Sequence, residues 1–204
     1  KFIFFLRYLL SIFIVALVSF LTIPHFFDYK KKEKTIKTYL LENYGFEVKK
    51  IGKISFNSFP TPNLEINNLT IHYGSEDINL NIREFIVYPK MSGIYDFQKF
   101  RSKKIGIHDG NLNISLNKIK SLDKLFKSRK KMSLENVDVN ILDDYKNIIN
   151  FKKINYYNYG YKKNIINGKL FNKNFKINIK NDFTKVDFKL LETGISASLN
   201  VLKN

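Results

Sequence analysis

The chain has 204 residues, a formal charge of +17 and no cysteine, which excludes disulfide frameworks, thiolate metal sites and cysteine nucleophiles. Lysine (31), asparagine (24) and isoleucine (26) dominate and alanine occurs twice, a bias that reads first as drift in an AT-rich genome. Only Arg7, Arg83, Arg101 and Arg129 supply the rigid bidentate fork that clamps phosphate or reads guanine, so net charge by itself does not make a nucleic-acid binder. Starting at Lys1 and stopping at Asn204 within a strand pattern, the sequence reads as a piece of a longer protein.

From Phe2 to Ile23 the single charge is Arg7. At 1.5 Å per residue such a helix is roughly 33 Å long and matches a hydrocarbon core of roughly 30 Å. Arg7 lies near enough to the start to snorkel to the headgroups. Val18 to Ile23 offers no pair of small residues spaced for signal cleavage, so the segment 1–24 reads as an uncleaved signal anchor rather than a signal peptide. The flanking charges, Lys1 and Arg7 before the span against Lys30, Lys31, Lys32, Lys34 and Lys37 after it, place the bulk inside by a literal positive-inside count, although long domains translocate largely regardless of charge.

Residues 25–45 form a juxtamembrane segment. Lys30 to Tyr44 reads as a short amphipathic helix with Ile36, Tyr39, Leu40 and Tyr44 on one stripe and Gly45 as its left-handed stop. Lys30, Lys31, Lys32 and Lys34 either contact anionic headgroups or form an ordinary solvated helix end.

From Phe46 to Asn204 the period changes to two. Leu64/Ile66, Ile78/Leu80/Ile82, Ile105/Ile107, Leu112/Ile114, Val137/Val139/Ile141, Phe175/Ile177/Ile179 and Val186/Phe188/Leu190 alternate with polar residues. Tyr73-Gly74-Ser75, Asp109-Gly110-Asn111, Asp143-Asp144 and Asn167-Gly168 read as turns, and Met91 to Phe100 and Leu122 to Lys130 as short helices. Phase slips at Asn67-Asn68 and Arg83-Glu84 predict bulges that bend the sheet. A weak repeat aligns Ile66 to Ile71 with Leu134 to Val139. The fold class is therefore mainly β. Eight or nine strands, each with one apolar face, outrun what two short helices can cover, so the sheet must fold as a sandwich, close as a barrel, or keep its apolar face for an apolar ligand. Base rates favour the sandwich.

The order of features from Thr38 to Ile71 resembles the start of the AsmA family: a membrane helix, a second helix ending in Tyr44-Gly45-Phe46, a strand through Val48 and Ile51 to Phe56, then Phe59-Pro60-Thr61-Pro62 before Leu64 to Ile71. The likeness continues loosely through Ser92 to Asp96 and the strands around Gly168 and Gly194. It implies a bacterial inner-membrane protein with a periplasmic body, whose curved antiparallel sheet forms an open groove carrying phospholipid acyl chains toward the outer membrane, with other envelope proteins as partners. On that reading the groove is lined by Ile66, Leu69, Ile71, Leu112, Ile114, Val137, Val139, Phe175, Ile177 and Ile179.

No phosphate loop, nucleophile elbow or His-x-x-x-His pair occurs. His108-Asp109 with Ser115 is the nearest catalytic candidate, but on a strand-turn-strand the two side chains point to opposite sides. Asp143-Asp144 lacks the alternate oxygen ligands of a calcium loop. An enzyme, a metal and a cofactor are thus not expected. Lys99 to Lys131 carries eleven basic residues against Asp109 and Asp123, and with Tyr156, Tyr157, Tyr159 and Tyr161 as stacking groups would suit single-stranded nucleic acid. A membrane anchor and scarce arginine speak against it.

Overall fold

A computed structural model describes residues 2–122, 131–158, 164–180 and 184–200. Helix α1 (Phe2–Thr22) leads through a 3-10 turn at Ile23–Phe26 and another at Tyr29–Lys32 into α2 (Glu33–Tyr44). The strands follow: β1 (Phe46–Lys50), β2 (Ile54–Asn57), β3 (Asn63–Tyr73), β4 (Ser75–Pro89), β5 (Ser102–Ser115), β6 (Lys131–Asp143), β7 (Lys146–Asn158), β8 (Asn164–Leu170), β9 (Lys173–Lys180), β10 (Lys185–Leu190) and β11 (Ser196–Asn200). A short helix, α3 (Ser92–Tyr95), sits between β4 and β5. The protein is mainly β, with one open 11-stranded sheet in the order β1-β3-β4-β5-β6-β7-β8-β9-β10-β11 and β2 pairing beside β1 on β3. The sandwich favoured by base rates is not what forms.

Side-chain hydroxyls within α1 bond back to the preceding turn, Ser11 to the Arg7 carbonyl and Thr22 to that of Val18, so its small polar groups do not oppose an apolar setting. The stretch Ile3–Phe26, with mean hydropathy 2.4, is long and apolar enough to cross a membrane, a property it shares with signal sequences. Gly45 ends α2 at φ 71° and its N–H reaches the Leu40 and Leu41 carbonyls. Ile36, Leu40 and Tyr44 are buried and Tyr39 half-buried, as the stripe predicts. Each such buried apolar side chain contributes about 1.5–3 kcal/mol as an upper bound.

All neighbouring strands on the main path pair antiparallel except β5 and β6, which run parallel from Lys104↔Lys131 to Ser115↔Leu142. This one parallel pair sits within an otherwise antiparallel sheet, as the fold class expected. Parallel neighbours require a crossover; the connection begins with a 3-10 helix at Leu116–Leu122, and all but the first residue of the helix expected over Leu122 to Lys130 lies outside the described residues. Two corrections concern turns. Asp109-Gly110-Asn111 lies inside the single strand β5, and Asn167-Gly168 lies inside β8; the chain reverses instead at Phe171 and Asn172, both at positive φ.

The phase slips have a common cause. Five strands interrupt their alternation with two consecutive residues on the polar face: Asn67-Asn68, Arg83-Glu84, His108-Asp109, Glu135-Asn136 and Lys152-Lys153. Asn68, Asp109, Asn136 and Lys153 adopt left-handed φ of 55°, 52°, 56° and 51°, a conformation that Asn and Asp tolerate best. From β3 to β6 these breaks lie opposite one another, so the register is unchanged across them: Asn67↔Glu84 is followed by Leu69↔Ile82, and Glu84↔His108 by Ile82↔Gly110. They are not the one-against-two bulges expected for β3 and β4 but a shared row of kinks. A break in one strand alone would turn its remaining side chains to the wrong face; matched breaks return every strand to the apolar face together. The 68-residue repeat is this feature, since Asn68 and Asn136 occupy the same kink in the first strand of two successive meanders.

One face thus stays apolar across every strand, as in Val48↔Ile71↔Leu80↔Leu112↔Val139↔Phe151. Asparagine lines the other. Asn79, Asn113, Asn140 and Asn150 are in register across β4–β7, and Asn140 Nδ2 donates to Asn111 Oδ1 at 2.9 Å and Asn113 Oδ1 at 2.8 Å. Whatever its genomic origin, the asparagine excess builds a cross-strand ladder on the solvated side.

Candidate functional site

The apolar face divides into a covered part and a bare part. Tyr29, Ile36, Leu40 and Tyr44 from the α2 region and Ile94, Phe97 and Phe100 from the β4–β5 connection join the buried core of β1–β7. Rings continue without a gap from α1 into this layer: Phe20–Tyr95, Tyr95–Phe27, Phe27–Tyr29, Tyr29–Phe97, Phe97–Phe100, Phe100–Tyr39, Tyr39–Tyr44, Tyr44–Phe46 and Phe46–Tyr73, with centroids 5.0–6.3 Å apart. Tyr44 also bonds through its hydroxyl to Ser102 Oγ at 3.1 Å. Ser102 begins β5 beside the start of β3, while Tyr73 ends β3, and an eleven-residue strand is roughly 36 Å long. Only a strongly coiled sheet brings both to the last turn of one helix. Burial raises the phenol pKa of Tyr44 to about 12 and that of Tyr29 further still, helped by Tyr95, and the Tyr29 hydroxyl donates to the Pro24 carbonyl at 2.7 Å.

The ten residues expected to line a groove all lie on this face, but in different surroundings. Ile66, Leu69, Ile71 and Val137 belong to the core under the helical cover, and Leu112 and Val139 pack against it half-buried. The first four therefore face protein, and Leu112 and Val139 lie at the margin of the core. Ile114, Phe175 and Ile179 are buried outside that core, and Ile177 is half-buried. Around Ile177 the register places Ile166 on one side and Phe188 on the other, both half-buried, with Ala197 beyond. Ile166 and Phe188 are the site residues that the sequence reading did not single out: Ile165-Ile166 does not alternate, and only strand pairing shows which of the two shares a face with Ile177. Phe175 packs on Phe151 and Phe188 at 5.5 and 6.1 Å, and Gly168 leaves the space its ring fills, since a Cβ there would stand 2.9 Å from Phe175 Cε1.

Of the lysines expected at headgroups, Lys30, Lys31 and Lys34 are exposed. Lys31 pairs with Asp28 at 3.6 Å. Lys32 is half-buried with its ammonium 5.2 Å from the Phe97 ring centroid, so its charge turns toward the body by a cation–π contact.

His108 and Asp109 occupy the same polar face, contrary to expectation, because of the kink between them. Asp109 is held by Arg83 at 2.5 Å and by Asn136, and His108 Nδ1 lies 3.9 Å from Glu135. Ser115 is six residues further along β5, roughly 20 Å away from Asp109, and completes no triad. A depression of about 750 Å³ on this side runs along the kink row between Lys50, Arg83, Asp109, Asn136 and Lys153. Among the described residues no cluster of three or more His, Asp or Glu could hold a metal ion. Of the tyrosines considered as stacking groups for nucleic acid, Tyr156 is buried on the apolar face with its hydroxyl on Asn164 Oδ1 at 3.0 Å, its neighbour Tyr157 lies on the other face, and Tyr159 and Tyr161 lie outside the described residues.

No family model, curated protein or solved structure matches the chain.

Proposed function

We propose that the protein is a membrane-anchored, non-enzymatic lipid-handling protein that holds phospholipid acyl chains against the uncovered part of its sheet, for lipid transport or maintenance of a bacterial envelope. The observation that supports this reading is the apolar row Ile166–Ile177–Phe188, half-buried throughout, which leaves the core at Ile166 and continues the sheet's apolar face beyond the helical cover. A soluble domain rarely leaves such a row open without a ligand or partner for it. Acyl chains fit because they need no polar partner and tolerate sliding along an irregular apolar surface. The part beyond the cover runs from Ile166 on β8 to Ala197 on β11, with Phe175 and Ile179 buried within it, a narrower track than the full-width groove expected from the sequence.

A photo-crosslinking residue at Ile177 is expected to capture phospholipid in native membranes, detected by mass spectrometry of the adduct. The same residue at Lys176, on the opposite face, should capture none. Equal labelling at both positions would end the proposal. The resemblance-based orientation places residues 25–204 outside the cytoplasm, and a phosphatase reporter active only there, fused after Asn204, should then be active. An inactive fusion at normal abundance would reverse that orientation.

A further inference from the structure

Phe59 is 87% exposed and Phe26 83% exposed, on a chain that otherwise covers most of its large apolar side chains outside α1. A solitary exposed phenylalanine is ordinary. What distinguishes Phe59 is where its neighbour is fastened. Ser58 Oγ donates to the Leu21 carbonyl at 3.1 Å and lies 2.6 Å from His25 Nε2, while His25 packs edge-on against Phe56. The turn at 58–62, between β2 and β3, is thereby held level with the last turn of the apolar span Ile3–Phe26. Residues 54–64 also contain no charged side chain, whereas 26% of the chain is charged. Charge resumes beyond the span at Asp28, Lys30 and Lys31, all exposed.

We propose that this turn is a second membrane contact, with Phe59 inserted into the interfacial zone of the same leaflet in which α1 ends, beside Phe26. Its partner is the lipid bilayer. The inference rests on the reading of α1 as a membrane span, and it gives that span a mechanical consequence: two contacts joined by Ser58 fix the tilt of the sheet and keep the start of β3 at the bilayer surface, where one helix alone would let the body swing. Aromatic side chains favour this depth, where an apolar ring and a wet backbone can both be accommodated.

The chain contains no tryptophan, so each of three variants carries a single fluorescent probe. Phe59→Trp tests the turn, Tyr8→Trp reports α1, and Tyr145→Trp, 98% exposed in the β6–β7 turn at the opposite end of the sheet, reports solvent. The full chain is reconstituted in phosphatidylcholine–phosphatidylglycerol vesicles with and without lipids brominated on the acyl chain near the headgroup. Blue-shifted emission from Phe59→Trp that the brominated lipids quench, with Tyr145→Trp unquenched, is the expected result. Solvent-like emission at Phe59→Trp, together with a lipid-quenched Tyr8→Trp, overturns the inference and leaves the anchor standing. A blue shift without bromolipid quenching overturns it in favour of a protein contact. Solvent-like emission at Tyr8→Trp removes the anchor and this inference with it.

Discussion

Ile66→Asp abolishes the cooperative melt of the β body, whereas Ile177→Asp keeps it and loses phospholipid capture. Ile66 is completely buried, flanked in register by Ile54 and Phe85 and enclosed by the core. An unpaired carboxylate there costs several kcal/mol even after partial relaxation, a large share of a total stability of about 5–15 kcal/mol. Ile177 is half-buried, so its carboxylate keeps water and the loss is mainly apolar contact with Ile166 and Phe188, about 1–2 kcal/mol. That moves the melting temperature by only a few degrees in a domain of this size. Circular dichroism melts of the detergent-solubilised proteins, run beside photo-crosslinking at Phe188, measure both quantities. Collapse of both variants would put Ile177 in a closed core and sink the lipid-track reading. Ile179, at 7% exposure, is expected to behave like Ile66.

Gly52→Ala should lower the melting temperature more than a single-methyl change at any other glycine among the described residues. Between β1 and β2 the edge of the sheet breaks at Gly52, level with the kink row, and an added Cβ would lie 2.1 Å from the Asn67 carbonyl oxygen. Backbone cannot yield as a flexible side chain does, so β3 and the edge must separate. The Asn67 N–H to Lys53 carbonyl bond of 3.0 Å is strained or lost with it. Overpacking of about 1–3 kcal/mol and a hydrogen bond of about 1 kcal/mol together predict a loss of about 2–4 kcal/mol. Gly74 provides the contrast. It sits at φ 67° with no atom within 4 Å of the place a Cβ would take, so Gly74→Asn, which tolerates the left-handed region, should be nearly neutral. Melts of the two variants in parallel decide the matter; equal losses would show that the approach of Asn67 to the edge is not a constraint.

Much of the architecture is written in local pattern. The uninterrupted apolar run to Ile23, the i, i+4 stripe of Ile36, Leu40 and Tyr44 ending at Gly45, and the period-two alternation name the helices and most strands, because each depends on residues close together in the chain. Asn67-Asn68 and Arg83-Glu84 even disclose the first two kinks. His108-Asp109-Gly110 misleads for the same local reason: a pair of polar residues followed by glycine looks alike in a hairpin turn and in a strand kink, and the pairing of Glu84 with His108 and of His108 with Glu135 decides between them.

What needed the tertiary structure is everything that depends on distant segments meeting. Alternation says that Ile66 and Ile177 each lie on an apolar face, but not what lies above that face. The core formed with α2 and the Ile94–Phe100 segment encloses Ile66, Leu69, Ile71 and Val137, while Ile177 remains part-open beyond it. The parallel pairing of β5 with β6, the aromatic chain from Phe20 to Tyr73 and the fastening of Ser58 to the end of α1 likewise join residues up to 75 positions apart. Sequence period fixes which side of a strand is apolar because side chains alternate along the backbone; whether that side meets a helix, a lipid or water is set by chain topology, which no local pattern encodes.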